Sequence, residues 1–116
     1  MRGIVVFVKK DDKLKDKEGK PKVRIIIGCK CEVEKDVFET YYARLSEQFA
    51  HDYFTFCGLK SASELAGREV ECTLYKENWT DKNGKEREDT YIKYINLIDA
   101  DGNAIIMRKP QSDFDF

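Results

Sequence analysis

The stretch that decides the fold is Val37–Gly58, VFETYYARLSEQFAHDYFTFCG. In it, the alternating pattern of a strand changes at Ser46 to the three- and four-residue spacing of a helix. Within it, Val37–Leu45 places aromatic and β-branched residues as a strand does, although the helix formers it also contains leave a helix as the rival interpretation. From Ser46, a favourable helix N-cap, apolar residues recur at helical spacing until Gly58, which stands where a C′ glycine belongs. The stretch therefore predicts a strand followed by a helix.

Strand patterns stand on both sides of this stretch. The predicted strands before it are Gly3–Lys9 and Val23–Val33, and those after it are Arg68–Glu77, Asp89–Ile98 and a short sixth strand, Asn103–Arg108. A capping box at Ser61–Glu64 predicts one more helical turn. Gly28, in the middle of the second strand, suggests a bulge or a sharp coil in the sheet. The longest polar connections are predicted to be loops, at Lys9–Lys22 and Lys76–Glu88.

A helix between the third and fourth of five strands is the plan of the OB-fold barrel. The sequence thus predicts an all-β fold with one helix, a five-stranded OB-fold barrel over residues 1–108, and a tail over residues 109–116. An SH3-like barrel and an α+β sandwich are the alternatives. The binding face of an OB-fold crosses strands two and three, and the two long loops flank it.

Composition limits the function more than it defines it. The 116 residues fit one domain, and 21 Lys and Arg against 22 Asp and Glu give a net charge near −1, so any nucleic-acid surface must be local. No segment approaches the roughly 18 apolar residues of a membrane span, and Lys9 and Lys10 end the first apolar run. We therefore expect a cytoplasmic protein with reduced thiols and no membrane contact.

The residues that commonly carry catalysis or bind metals are poorly placed for either role. The spacing of the four cysteines lacks the second close pair of a zinc site, so buried thiols are expected at Cys29, Cys31, Cys57 and Cys72. His51 is the only histidine, and no candidate nucleophile accompanies it. The chain also contains no P-loop or dinucleotide fingerprint. We expect no enzyme activity, no metal and no cofactor.

Cations and aromatic residues fall where a single-stranded nucleic acid would need them, since such binding combines backbone-tracking charge with stacking platforms. Trp79 is the only tryptophan and stands among charged residues, which favours a stacking role. The predicted contacts are Arg24, Lys30, Tyr42, Arg44, Lys20, Lys22, Lys76, Trp79, Lys82, Lys85, Arg87, Tyr91 and Lys93.

Three alternatives bear on these contacts. The Lys9–Lys22 loop also holds four acids and fits a solvated loop equally well. A register error of one residue would exchange Tyr41 for Tyr42. Several other aromatic residues are assigned to the core, namely Phe7, Phe49, Tyr53 and Phe54.

The last residues, Ser112–Phe116, alternate acidic and aromatic side chains after Pro110, which discourages a helix or a central strand. This pattern suits a partner protein with apolar pockets and a basic rim, although a frayed terminus is the plain alternative. The predicted partner-binding residues are Asp113, Phe114, Asp115 and Phe116.

On its strand order over about residues 3–98 and on this acidic, Phe-terminated tail, the chain resembles the single-stranded DNA-binding proteins of phages and mobile elements. The resemblance implies a non-catalytic protein that protects single-stranded DNA and recruits replication or recombination proteins through its tail, in the host cytoplasm if phage-encoded. The tail is shorter than the family pattern and lacks its run of Asp, its penultimate Pro and its long linker.

Because a small OB domain holds few nucleotides, we also expect a homodimer or a higher homo-oligomer. The alternative function is a small β-barrel interaction module that binds a protein and no nucleic acid.

Overall fold

The computed structural model describes residues 1–106, in which five strands form a sheet that closes on itself in the order β1-β2-β3-β5-β4. The strands are β1 (Arg2–Lys15), β2 (Pro21–Glu34), β3 (Val37–Ser46), β4 (Glu69–Thr80) and β5 (Glu86–Leu97). The helix α1 (Glu47–Phe56) and a 3₁₀ turn (Ala62–Leu65) join β3 to β4. No helix in this described part of the chain is both long and apolar enough to cross a bilayer.

The predicted change from strand to helix is confirmed, and the rival helix over Val37–Leu45 is wrong. The Ser46 hydroxyl accepts a hydrogen bond from the backbone N–H of Phe49 at 3.1 Å, which satisfies one of the donors that a helix N-terminus leaves unpaired. Past the helix end, Gly58 has a φ of 84°, a left-handed conformation that glycine adopts without steric cost.

The core fills the ring from the inward faces of the strands. Ile27, Cys29 and Cys31 of β2 are fully buried, as the predicted alternation requires. Tyr53 of α1 is buried as well, and its hydroxyl accepts from the Leu97 N–H at 2.9 Å and donates to the Ile105 carbonyl at 2.6 Å. This side chain therefore fastens α1 to the end of β5 and to the segment that follows it.

Both segments predicted to be loops are largely strand. β1 and β2 pair out to Lys15 and Pro21, and β4 and β5 pair out to Thr80 and Glu86. We call residues 9–24 the β1–β2 arm and residues 76–90 the β4–β5 arm. These arms carry almost no apolar residues, so their strands lack the alternation by which a half-buried strand is recognised.

A bulge moves Phe7 from its predicted place in the core to the outer face of the sheet. The register of β1 against β2 shifts between Val5 and Phe7, so Phe7 lies opposite Gly28. A side chain at Gly28 would overlap the Phe7 ring, because the ring packs directly on the glycine backbone. Gly28 thus lies opposite a bulge in β1 and does not itself form the bulge that its sequence position suggested.

The predicted sixth strand is not formed within the described residues. The Asp99–Gly102 turn is present, since the Asp99 carboxylate accepts from the backbone N–H groups of Asp101 and Asn103, both at 2.9 Å. Beyond it, a single bridge joins Ile98 to Ala104, and no strand follows up to residue 106. The rest of the predicted strand, residues 107–108, lies outside the described residues.

Candidate functional site

A groove opens where β3 meets β5. These strands run parallel and pair at one position only, Ala43 with Ile92, so the sheet is least continuous there. The groove has a volume of about 520 Å³. We call it the seam groove; its apolar lining is Leu45, Phe49, Ile95 and Ile106, and its other lining residues are Lys22, Arg24, Arg44, Ser46, Lys93, Tyr94 and Asn96.

Four of the predicted contacts meet in this groove. Lys22 and Arg24 lie on the outward face of β2, Arg44 on that of β3, and Lys93 at a bulge of β5. No acidic residue lines the groove, and within residues 1–106 none of these four cations forms an ion pair. The groove therefore holds uncompensated positive charge that attracts an anion.

One aromatic surface lies on the outer face of β1 to β3. Tyr42 projects outward opposite Gly28, and its ring centroid is 5.7 Å from that of Phe7. Nearby on the same face, the Lys30 ammonium lies 5.0 Å from the centre of the Phe38 ring. Tyr41, in contrast, packs against the core, which decides between the two neighbouring tyrosines.

A second aromatic surface lies on β4 and β5. Tyr75 and Tyr91 are direct cross-strand neighbours with ring centroids 5.3 Å apart. The Lys93 ammonium lies 5.1 Å from the centre of the Tyr75 ring and 5.6 Å from that of Tyr94, which is 59% exposed. Tyr94 also lines the seam groove, so this aromatic surface adjoins the groove.

The remaining predicted cations do not line the groove, and three of them are paired with acids. Lys76 lies 3.8 Å from Glu88, Arg87 lies 3.0 Å from Asp81, and Lys20 lies 3.6 Å from Glu18. Of the other three, Lys82 and Lys85 belong to the turn of the β4–β5 arm, and Lys30 lies over the Phe38 ring. An ion pair lowers the charge that a cation offers to a phosphate, so Lys76, Arg87 and Lys20 are weaker anion ligands than the groove cations.

Trp79 lies on β4 in the β4–β5 arm, opposite Arg87, and is 46% exposed. Its indole N–H donates to the Asp89 carboxylate at 2.8 Å, so one edge of the ring is held while a large part of the side chain remains accessible. The arm ends in a turn organised by Asp81. Hydrogen bonds from the Lys85 backbone and the Arg87 side chain lower the pKa of Asp81.

Tyr94 and Asn96 line the seam groove but were not among the predicted contact residues. Strict alternation would place Lys93 and Tyr94 on opposite faces, but the register shift between Thr73 and Leu74 leaves both exposed. The spacing of Ile92 and Ile95 is the signal that could have found them. Two buried residues three apart on one strand require a bulge between them.

A second groove, of about 440 Å³, lies between α1 and the start of the β1–β2 arm. Val8, Ile25 and Phe54 give it an apolar lining, and His51 stands among its lining residues. The nearest charges include an ion pair between Lys10 and Glu47 at 3.0 Å. Its charge is therefore partly compensated, unlike that of the seam groove.

The cysteines Cys29, Cys31 and Cys72 are buried, Cys57 is half-buried, and all four are free thiols. Burial, reinforced by Cys72, raises the pKa of Cys31 to about 11. The neighbouring Cys29 thiol and burial also raise the pKa of Cys72, and burial raises that of Cys57. The thiols of Cys31, Cys57 and Cys72 are therefore protonated at neutral pH.

The predicted tail residues Asp113, Phe114, Asp115 and Phe116 lie outside the described residues. Ile106, the last described residue, lines the seam groove. Comparisons of the chain with protein-family models, with curated proteins and with solved structures found no match.

Proposed function

We propose that this chain is a non-catalytic OB-fold protein that binds single-stranded DNA across the seam groove. The observation that carries the proposal is a set of four cations, Lys22, Arg24, Arg44 and Lys93, gathered in one groove that no acid among residues 1–106 lines. Strand order β1-β2-β3-β5-β4, with α1 after β3, supports the OB-fold assignment.

The chemistry beside the cations favours a single strand over a duplex. Phosphates are available in both, but only unpaired bases can stack on rings such as Tyr42 and Tyr94 or enter an apolar groove. The net charge of about −1 also leaves little long-range attraction for a duplex. Binding must therefore come from the local cations together with the bases.

The tail would add a second role. Asp113 and Asp115 match basic rims on replication or recombination proteins, and Phe114 and Phe116 match apolar pockets there. A protein with both features protects single-stranded DNA and recruits enzymes to it. Pairing of two copies would lengthen the site, and sedimentation at high micromolar concentration tests that self-association.

A protein-interaction module without nucleic-acid binding is the second candidate. Exposed apolar side chains favour it, because Ile4 and Val6 on β1 and Val37 on β3 are each nearly half exposed. Such side chains suit a protein partner better than a polyphosphate. Under this alternative the four cations would not contribute to DNA binding at all.

The two candidates are separated by titrating a fluorescent oligonucleotide, single-stranded or as a duplex of the same sequence. We expect tighter binding of the single strand, with log K falling with log salt at a slope of about −3 if four phosphates are neutralised. Glutamine at all four groove cations should abolish most of this dependence. Glutamine at Lys82 and Lys85 is the matched control. Equal affinity for both DNA forms, or binding insensitive to salt, contradicts the proposal.

A further inference from the structure

The seam groove contains more than the charge that a phosphate backbone requires. A groove built for phosphates alone needs only cations on an open surface, whereas this one also has an apolar lining of Leu45, Phe49, Ile95 and Ile106. Its volume of about 520 Å³ falls within the range of ~300–1,000 Å³ that small-molecule pockets span. The groove is thus large enough and apolar enough for one nucleobase.

One side chain could recognise the edge of such a base. Asn96 lines the groove and is half-buried, and within residues 1–106 its amide forms no side-chain hydrogen bond. An amide presents an acceptor and a donor side by side, which matches the alternating donors and acceptors along a base edge. The amide is therefore positioned to bind an edge that enters the groove.

Resting on the proposed function, we propose that the seam groove receives one nucleobase of the bound strand. The base lies against the apolar lining with its edge at Asn96. Arg24, Arg44 and Lys93 hold the adjoining phosphates, and the neighbouring bases stack outside the groove on Tyr94 and on Tyr42. The strand is thus anchored at one position instead of resting only on the surface of the sheet.

An acidic peptide with an aromatic side chain also matches a basic, apolar groove. The observations favour the nucleic acid for two reasons. Tyr94 lines the groove and Tyr42 lies two residues before Arg44 on the same face of β3, so exposed rings adjoin the groove and give neighbouring bases platforms to stack on. The cations also come from three strands, so they are spread along a path as the phosphates of a strand are.

The test compares oligothymidylate with an abasic strand of the same length, which keeps the phosphates and lacks the bases. Ile106→Trp fills the groove without changing its charge, and Ile106 is 65% exposed, so the fold should tolerate the substitution. Ala100→Trp places the same ring in the exposed Asp99–Gly102 turn and is the matched control. Asn96→Leu keeps the size of the side chain and removes the amide.

We expect Ile106→Trp to weaken oligothymidylate binding about tenfold, the order of one lost base contact, and to leave abasic-strand binding within about twofold. Asn96→Leu should act in the same direction, and Ala100→Trp should change neither. If both strands bind but the groove variants behave like wild type, base insertion is wrong and the proposed function stands. If neither strand binds wild type, the proposed function itself fails.

A peptide of residues 111–116 completes the test. If it binds wild type, loses binding in Ile106→Trp, and both DNA strands bind that variant normally, the groove is a peptide site. That result overturns base insertion.

Discussion

At the scale of single residues, a cation contributes to DNA binding only as far as neighbouring carboxylates leave its charge uncompensated. Arg44 in the seam groove and Arg87 in the β4–β5 arm are both arginines on strands, but within residues 1–106 only Arg87 forms an ion pair, with Asp81 at 3.0 Å. We expect Arg44→Gln to weaken binding of a single strand and to reduce the salt slope by about 0.7, the share of one phosphate. Arg87→Gln should do much less. Fluorescence anisotropy at several salt concentrations measures both, and equal losses would argue against the groove as the main site.

Trp79 tests whether the β4–β5 arm takes part. Because the side chain is 46% exposed, Trp79→Ala should change the free energy of unfolding by no more than about 0.5 kcal/mol, as ordinary surface sites do. If the ring stacks on a base, binding should weaken by ~1–3 kcal/mol. Trp79→Phe keeps a ring and removes the hydrogen bond to Asp89, so it should retain most of the affinity. A large fall in melting temperature for Trp79→Ala would instead mean that Trp79 is structural.

Because a buried thiol resists ionisation, we expect the free energy of unfolding to fall at alkaline pH. The pKa of Cys31 is raised from its ordinary value of 9.0 to about 11, so the folded state keeps this thiol neutral while the unfolded chain ionises it. A raised pKa means that stability is complete below the unfolded value and falls as pH rises from about 9 to 11. Urea denaturation over that range should show the fall, and Cys31→Val should show less of it. Identical pH profiles for the two proteins would contradict the assignment.

At the scale of elements, the junction at Ser46 controls the start of α1. Its hydroxyl accepts from the Phe49 N–H, so Ser46→Ala leaves a donor of the first turn unpaired and should cost about 1 kcal/mol of unfolding free energy. Ser46→Asp restores an acceptor and should restore most of the loss. Chemical denaturation measures both variants. A loss that Asp does not restore would locate the role of Ser46 in packing instead of capping.

The elements also show what the sequence could predict. The helix, its caps and the inward face of β2 were predictable because burial forces an apolar period on Ile27, Cys29 and Cys31. The two arms were not, because a two-stranded ribbon exposed on both faces imposes no such period. Bulges account for the side chains assigned to the wrong face, since one extra residue in β1 moves Phe7 to the outer face.

At the scale of the whole molecule, charge is distributed unevenly although the net value is near −1. Residues 9–24 of the β1–β2 arm hold eight Lys and Arg against four acids, whereas residues 76–90 of the β4–β5 arm hold four against five. Lys22 and Arg24 continue the basic arm into the seam groove. Phosphates should therefore follow the β1–β2 arm towards the groove and find no comparable attraction along the other arm.

The tail changes the charge balance around the same groove. Deleting residues 112–116 should preserve the fold, because the Tyr53 hydroxyl already fastens the chain at Ile105. The deletion removes the negative charges of Asp113 and Asp115, which no longer compete with DNA for the groove cations, so affinity for single-stranded DNA should rise at low salt. At high salt the two proteins should converge, since at 1 M the screening length is ~3 Å.

Two further variants separate the charges of the tail from its rings. Asn at both Asp113 and Asp115 should reproduce the rise in DNA affinity, because it removes the same two charges. Ala at both Phe114 and Phe116 should leave DNA affinity unchanged and abolish binding of a replication or recombination partner in a pull-down. Calorimetry of the truncated chain shows whether residues 1–111 still unfold in a cooperative transition. If residues 1–111 unfold on their own, the tail is part of the fold, and its proposed role in recruitment is wrong.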